Sequence, residues 1–379
     1  MSLPRRIFLS AYRALYERAV RPMVFRKSAM RAHEQALDWM RRADRNPALL
    51  GLLRIAHRMA FEPQPVEIGG VALPVPYILA AGWVKGDGFD AEEAALAAAR
   101  EGRRNIIPGW RSMPALVGPV EYGSFTRWPR MGNPGTVLWR DEATHSTQNR
   151  IGLKNPGAEA AAKFLAVRKA FLPAVYGINI AVTPGVADPV QQNTEVVQSI
   201  AAFLQRDVIP AWFTLNLSCP NTEDDPAGNQ SGELAALLTG ALVRAIREAR
   251  REIPLWVKIG PTLSRRQVGA LLHACAEAGV RAIVATNTLP EPAPGNLGVD
   301  AGAAGGKLHA RAVEIAGWAA QEISRHHWPL DVVGCGGVED ARTYRAFVSA
   351  GARGVQYLSA LIFRGPMAVA VIQGEVSRG

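Results

Sequence analysis

The residues best suited to chemistry in this 379-residue chain lie in FTLNLSCPNT, Phe213 to Thr222, where Cys219 is flanked by two amides, Asn216 and Asn221. Apolar and polar side chains alternate from Phe213 to Ser218, the period of a strand, and Pro220 ends it because proline cannot donate to a ladder. Cys219 therefore stands at a strand's C-terminal end, where barrel enzymes keep their reacting groups. A thiol there reads as a nucleophile, as a general base if nearby cations lower its pKa from about 8.5, or as an inert half-buried side chain. No histidine lies in the motif. A Cys-His pair would have to draw on one of seven scattered histidines, of which His145 and His309 fall in expected loops.

Lys258 is the second chemical group, an ammonium in the apolar run WVKIG. Burying it unpaired is costly, so it calls for an anionic or carbonyl-rich partner, such as the pyrimidine edge of a flavin. Other apolar runs also end in polar groups: Gly82 with Lys85, Gly123 with Ser124 and Thr126, then Asn149, Asn179, Thr286 with Asn287, and Ser359. A single strand-end amide is ordinarily a turn residue. Gathered around one rim, these amides and hydroxyls suit a planar ligand edged with C=O and N–H groups. The glycines of GCGG, Gly334 to Gly337, read either as a phosphate seat or as a tight turn.

The elements that must position these groups are short apolar runs: Tyr77 to Ala81, Val120 to Tyr122, Gly177 to Ile180, Phe213 to Leu217, Leu255 to Ile259, Ala282 to Ala285, Leu330 to Val333 and Gly354 to Leu358. Ile151 to Leu153 reads as a further short strand. Helical stretches such as Gly232 to Glu252 and Ser264 to Ala278 intervene. The alternation predicts an α/β chain with a (β/α)8 TIM barrel over residues 63–379, and no Gly-rich dinucleotide fingerprint follows the first strand.

Residues 1–62 form an N-terminal helical extension, with helices expected over Ile7 to Phe25, Ala29 to Arg42 and Pro47 to Ala60. From Met1 to Ala60 there are 13 Lys and Arg against 4 Asp and Glu, so +9 of the chain's net +10 lies here. Aromatic and basic residues on amphipathic helices suit either a cap on the main domain or a peripheral membrane or lipophile-binding surface. Nothing resembles a nucleic-acid-binding motif. No apolar run reaches the roughly 18 residues a spanning helix needs, and the opening segment lacks a signal peptide's apolar core. Three widely spaced cysteines without a C-x-x-C pair argue against a zinc site or other metal centre and for a reducing, cytoplasmic compartment.

Several motifs in one order carry a family resemblance: YERAVRPMVF with RAHEQAL, AAGWVKGDG, EYGSFTRWPRMGNP, QNRIGLKNPG, GINI, LNLSCPNT, VKIGPTLS, ATNT, GCGG and ALIFRGP. Over nearly its whole length the chain resembles dihydroorotate dehydrogenase of class 2, the membrane-associated, quinone-using class. The resemblance implies FMN held by Ala81, Gly82, Ser124, Asn179, Lys258, Thr286 and Gly305, with its phosphate near Gly336, Gly337 and Ser359. It implies a dihydroorotate site of Lys85, Asn149, Asn216, Asn221, Asn287 and Thr288, with Cys219 as catalytic base. Residues 1–62 become a quinone-docking unit, placed on the cytoplasmic side of the inner (cell) membrane.

This chain also departs from the pattern. Class 2 members usually carry serine at the Cys219 position, and cysteine belongs to class 1. Val84 stands where an acidic residue is usual, Ala181 and Val182 replace glycine and lysine, and Leu358 replaces tyrosine, with Tyr357 one place early. A segment near Arg103 to Val117 is inserted. These differences leave a divergent FMN-dependent paralogue acting on another cyclic amide as the alternative expectation.

Overall fold

The computed structural model describes residues 2–100, 104–217, 230–295 and 297–378. Cys219 and Asn221 therefore lie outside the described residues. Among those described, eight strands close a parallel barrel: β1 (Tyr77–Leu79), β2 (Val120–Phe125), β3 (Tyr176–Ala181), β4 (Trp212–Asn216), β5 (Leu255–Ile259), β6 (Ala282–Ala285), β7 (Asp331–Cys335) and β8 (Gly354–Tyr357). Each apolar run read from the sequence supplies one of them. Neighbours around the ring follow chain order, and β8 returns to β1 by pairing Val355 with Tyr77. The strands are buried on both faces because helices cover the outside, which is why they read as continuous apolar runs.

A hairpin of Val66–Ile68 and Val71–Leu73 closes the N-terminal end of the barrel. There Trp256 donates through Nε1 to Gly69 O at 3.2 Å and stacks on Trp212 with ring centroids 4.7 Å apart. At the other end sits a second, antiparallel sheet, in the order Leu289–Pro292, Asp300–Gly305, Ser146–Asn149, Leu138–Asp141. Ile151 to Leu153 is not a strand. The strand lies just before it in polar STQN, whose pairing is set by the hairpin turn where Asp141 accepts from the N–H of Ala143 and Thr144. His309, expected in a loop, lies on the helix Gly306–His326, which starts directly from the sheet strand ending at Gly305.

The N-terminal extension is helical throughout. α1 (Leu3–Leu15) runs through one wide turn at Tyr16–Val20 into α2 (Arg21–Phe25), the widening falling where Pro22 has no N–H to give to the carbonyl four residues back. α3 (Ala29–Arg45) is capped by Ser28, and α4 (Pro47–Ala60) by Asn46 with Pro47 at its first position. No described helix is long and apolar enough to cross a membrane.

After α5 (Glu92–Arg100), the described part of the inserted segment, from Arg104 on, folds onto these helices and forms α6 (Ser112–Val117). Asp44, at the end of α3, organises it. Its carboxylate accepts from the backbone N–H of Gly109 (2.7 Å), Arg111 (3.2 Å) and Ser112 (2.7 Å) and from Asn105 Nδ2 (2.7 Å). Burial pushes the Asp44 carboxyl up, and these donors pull the other way. Gly109 has φ +90°, and a Cβ there would stand 2.6 Å from Met40 Sδ, so this turn tolerates only glycine. The buried Val84 packs under the same loop. The insertion is thus part of the N-terminal unit in space, although it follows the first barrel strand in sequence.

Candidate active site

A cavity of about 790 Å³ opens at the C-terminal rim of the barrel and extends between the N-terminal helices. Its floor brings together Lys85, Ser124, Asn149, Asn216, Lys258, Thr286, Asn287 and Thr288, with Ala81, Gly82, Gly336, Gly337 and Ser359 along the barrel side. Asn287 Nδ2 donates to Asn216 Oδ1 at 3.2 Å, Asn216 Nδ2 to Ser124 Oγ at 3.4 Å, and Thr286 Oγ1 to Asn287 O at 2.7 Å. Asn149, from the second sheet, donates to Gly302 O at 3.4 Å. Asn179 and Gly305 do not line the cavity. Asn179 stands beneath the floor on β3, and the Gly305 carbonyl sits directly behind Gly337, whose φ of +67° and lack of a side chain allow that approach.

Beneath the floor lies a polar network inside the barrel. Glu121 on β2 is fully buried. Its Oε2 accepts from Trp212 Nε1 at 2.9 Å, Thr214 Oγ1 at 2.8 Å and Gln356 Nε2 at 3.0 Å, and its Oε1 accepts from Asn179 Nδ2 at 2.8 Å. The other end of the Gln356 amide, Oε1, accepts from Lys258 Nζ at 3.1 Å. One amide thus relays a buried carboxylate to a buried ammonium, which offsets the desolvation each would otherwise suffer alone. Lys258 also lies beside Cys335, whose thiol burial pushes up while the lysine pulls it back. The Cys275 thiol, buried away from the cavity, is pushed up to about 12 by burial.

The outer half of the cavity is apolar. Val20, Val24, Phe25, Ala32, Ala36, Trp39, Met40, Leu53 and Ala56 come from the helices, and Met113 and Leu116 from the insertion. Polar residues interrupt this vestibule, His33 and Arg140 among them. His33 meets Trp83 edge-on at 5.7 Å, and burial, followed by the charges of Lys85 and Lys154, lowers its imidazole pKa to about 4. The guanidinium of Arg140 lies 4.2 Å from the Phe25 ring centroid and donates to the carbonyls of Phe25 and Lys27, which ties the end of α2 to the second sheet.

Sequence reasoning missed Glu121, Gln356, Cys335, His33 and Arg140. The signal that singled out Lys258, a charged or amide residue inside an apolar run, was equally present for Glu121 in VEYGSF and Gln356 in GVQY. His33 carried no such mark, because a histidine on an amphipathic helix reads the same whether it faces solvent or a cavity. Among the departures, Ala181 and Val182 are buried, and Leu358 lines the cavity against Gly82. Tyr357 Oη is buried with no partner among the described residues.

Comparison with known proteins gives one family. Residues 110–378 match the family described as Dihydroorotate dehydrogenase. A protein of Salinispora arenicola named "Dihydroorotate dehydrogenase (quinone)" is 32% identical over 367 residues, covering 94% of this chain and 97% of its own length. One of the same name from Chromobacterium violaceum is 31% identical over 369 residues, covering 95% and 96%. The ligand-free structure of DHODH from Eimeria tenella superposes with a TM-score of 0.69 at 18% identity, over 90% of this chain and 93% of that one, which is a likeness of fold.

Proposed function

The chain belongs to the dihydroorotate dehydrogenase family, to its quinone-dependent class, and from that premise we propose how its own residues divide the work. It is an FMN-dependent oxidoreductase that oxidises dihydroorotate to orotate in pyrimidine biosynthesis and passes the electrons to a quinone. The residues present fit the cofactor. Lys258 is a buried side chain facing a cavity edged with the amides of Asn149, Asn216 and Asn287, and Gly336 and Gly337 bring backbone without side chains to its edge. In our reading Ala81, Gly82, Ser124, Lys258 and Thr286 hold FMN, and Gly336, Gly337 and Ser359 meet its phosphate, with Asn179 supporting the floor from beneath and Gly305 supporting the turn. Bound FMN supplies the two-electron acceptor that oxidation of a CH–CH bond requires.

Lys85, Asn149, Asn216, Asn221, Asn287 and Thr288 hold the substrate's carboxylate and ring amides, fixing the ring in one pose. Cys219 takes the C5 proton as general base. Lys258 keeps a positive charge at the floor where negative charge accumulates, and Gln356 and Glu121 hold that ammonium in place. The apolar vestibule between residues 1–62 and the insertion admits the quinone, and His33, neutral above about pH 4, offers it a hydrogen-bonding edge. We place the protein peripherally on the cytoplasmic side of the inner membrane, with residues 1–62 as the docking unit.

The observation that carries this reading is one continuous cavity with a polar floor and an apolar vestibule. Its test is anaerobic flavin bleaching by dihydroorotate, followed by reoxidation with a quinone or with fumarate. The reading expects bleaching and a quinone preference. A flavin that stays oxidised with dihydroorotate overturns it.

A further inference from the structure

We infer that a cleft between α4, α6 and residues 169–173 seats the phosphate of an anionic phospholipid and so fixes how the protein sits on a bilayer. This seat deepens the membrane-docking reading above and rests on it. The cleft encloses about 300 Å³ and gathers Arg54 and Arg58 from α4, Arg111 at the start of α6, and Phe171 on the far wall. No described carboxylate forms an ion pair with any of the three guanidinium groups. Asp44 lies behind Arg111, but its oxygens already accept from the backbone N–H groups of 109, 111 and 112 and from Asn105. Arg111 Nε is buried with no hydrogen-bond partner among the described residues, and its guanidinium stacks 4.6 Å from the Phe171 ring centroid. Burial and the charge of Arg54 both disfavour the charged form of Arg111. Like charges gathered around an unfilled donor are what an incoming phosphate would relieve.

The surroundings select a lipid over a free anion. α4 exposes Leu52 (62%), Ile55 (47%) and Met59 (49%) along one helical face. Arg54 and Arg58 border that face on the cleft side, while Leu53 and Ala56 border it on the vestibule side. α1 adds the exposed Leu3 and Ile7, held there by Arg5, which donates to the carbonyls of Met59 (3.1 Å) and Arg58 (3.4 Å). A cationic cleft joined to an apolar strip matches a molecule with a phosphate on an acyl chain. It also puts the mouth of the vestibule on the bilayer.

The test sediments the FMN-loaded full chain with vesicles of phosphatidylcholine alone or mixed with phosphatidylglycerol. Wild type prefers the anionic vesicles. Arg111→Gln and the double variant Arg54→Gln/Arg58→Gln each lose roughly fivefold or more of that affinity, the size expected for one or two surface arginines. They keep wild-type binding to neutral vesicles and wild-type turnover with a short-chain quinone. The double variant changes only exposed helix positions, so it carries the test if Arg111→Gln misfolds. Arg18→Gln, exposed on the same unit but outside the cleft, should lose less than Arg111→Gln; equal losses mean a diffuse field and overturn the seat. Inorganic phosphate that abolishes the preference at constant ionic strength makes it a free-phosphate site and overturns the lipid assignment. If wild type binds both vesicles equally and Ile55→Ser weakens both, docking stands and the seat falls. If wild type binds neither, docking itself falls.

Discussion

The floor of the cavity and its vestibule are built by opposite means. The floor draws single polar groups from strand ends around the ring and rests on a network in which Glu121 accepts from Asn179, Trp212, Thr214 and Gln356. The vestibule draws apolar faces from three helices and the inserted segment. A satisfied polar network fails sharply when one member is removed, whereas an apolar wall yields by degrees. Changes in the floor should therefore be severe and specific to one half-reaction or to folding. Changes in the vestibule should be graded and felt by the quinone.

The largest effect expected is at Cys219, the base we propose. Cys219→Ala should slow flavin reduction by dihydroorotate by roughly 10²- to 10⁴-fold, the usual worth of a general base, with FMN still bound. Stopped-flow reduction at equal flavin content reads this directly, and unchanged kinetics would take the base role from Cys219. Next is the foundation of the floor. Glu121→Leu leaves four donors without their acceptor and Lys258 without its relayed counter-charge, which should destabilise the fold by about 3–5 kcal/mol in a urea titration. A loss under about 1 kcal/mol would show that the network is not holding the floor.

The vestibule should answer differently. Ala36→Phe fills space on the α3 wall. It should lower kcat/KM for quinone by about tenfold while leaving flavin reduction near wild type, since one extra side chain in an apolar pocket is worth about 1–3 kcal/mol. Equal losses in both half-reactions would mean that floor and vestibule are not separable, and the contrast between them would fail.

The same contrast governs what was legible in the sequence. Each barrel strand is an apolar run bounded by turn residues, so periodicity alone located it, and Lys258 stood out because it breaks such a run. The Ser146–Asn149 strand is polar and pairs with Leu138–Asp141 through a hairpin and with the distant Asp300–Gly305 strand, so no apolar run marks it, whereas the neighbouring Ile151 to Leu153 has the apolar character expected of a strand. The vestibule was least legible. Its residues are ordinary positions on amphipathic helices, and Met113 and Leu116 join it only because Asp44 folds the insertion back onto α3. Gly305 entered the expected site by resemblance, and the structure sets it behind Gly337 rather than at the cavity surface. Cys219 and Asn221, outside the described residues, rest on the motif alone.

The smallest effect expected concerns His33, the polar residue set into the apolar wall. Burial and the charges of Lys85 and Lys154 lower its pKa from 6.5 to about 4. Between those two values the unfolded chain binds a proton that the folded chain refuses, so the contribution of His33 to stability falls as pH drops through that window and is level above it. Partial solvent access in the vestibule reduces the size of this effect. His33→Gln keeps the volume and hydrogen-bonding character without the titration, so urea midpoints measured from pH 7 to pH 4.5 should fall less steeply than in wild type and agree with it at pH 7 and above. Parallel slopes would mean that His33 protonates freely in the folded protein. It would then face water rather than the vestibule, and the vestibule would lose one of the polar features that distinguish it from a plain apolar channel.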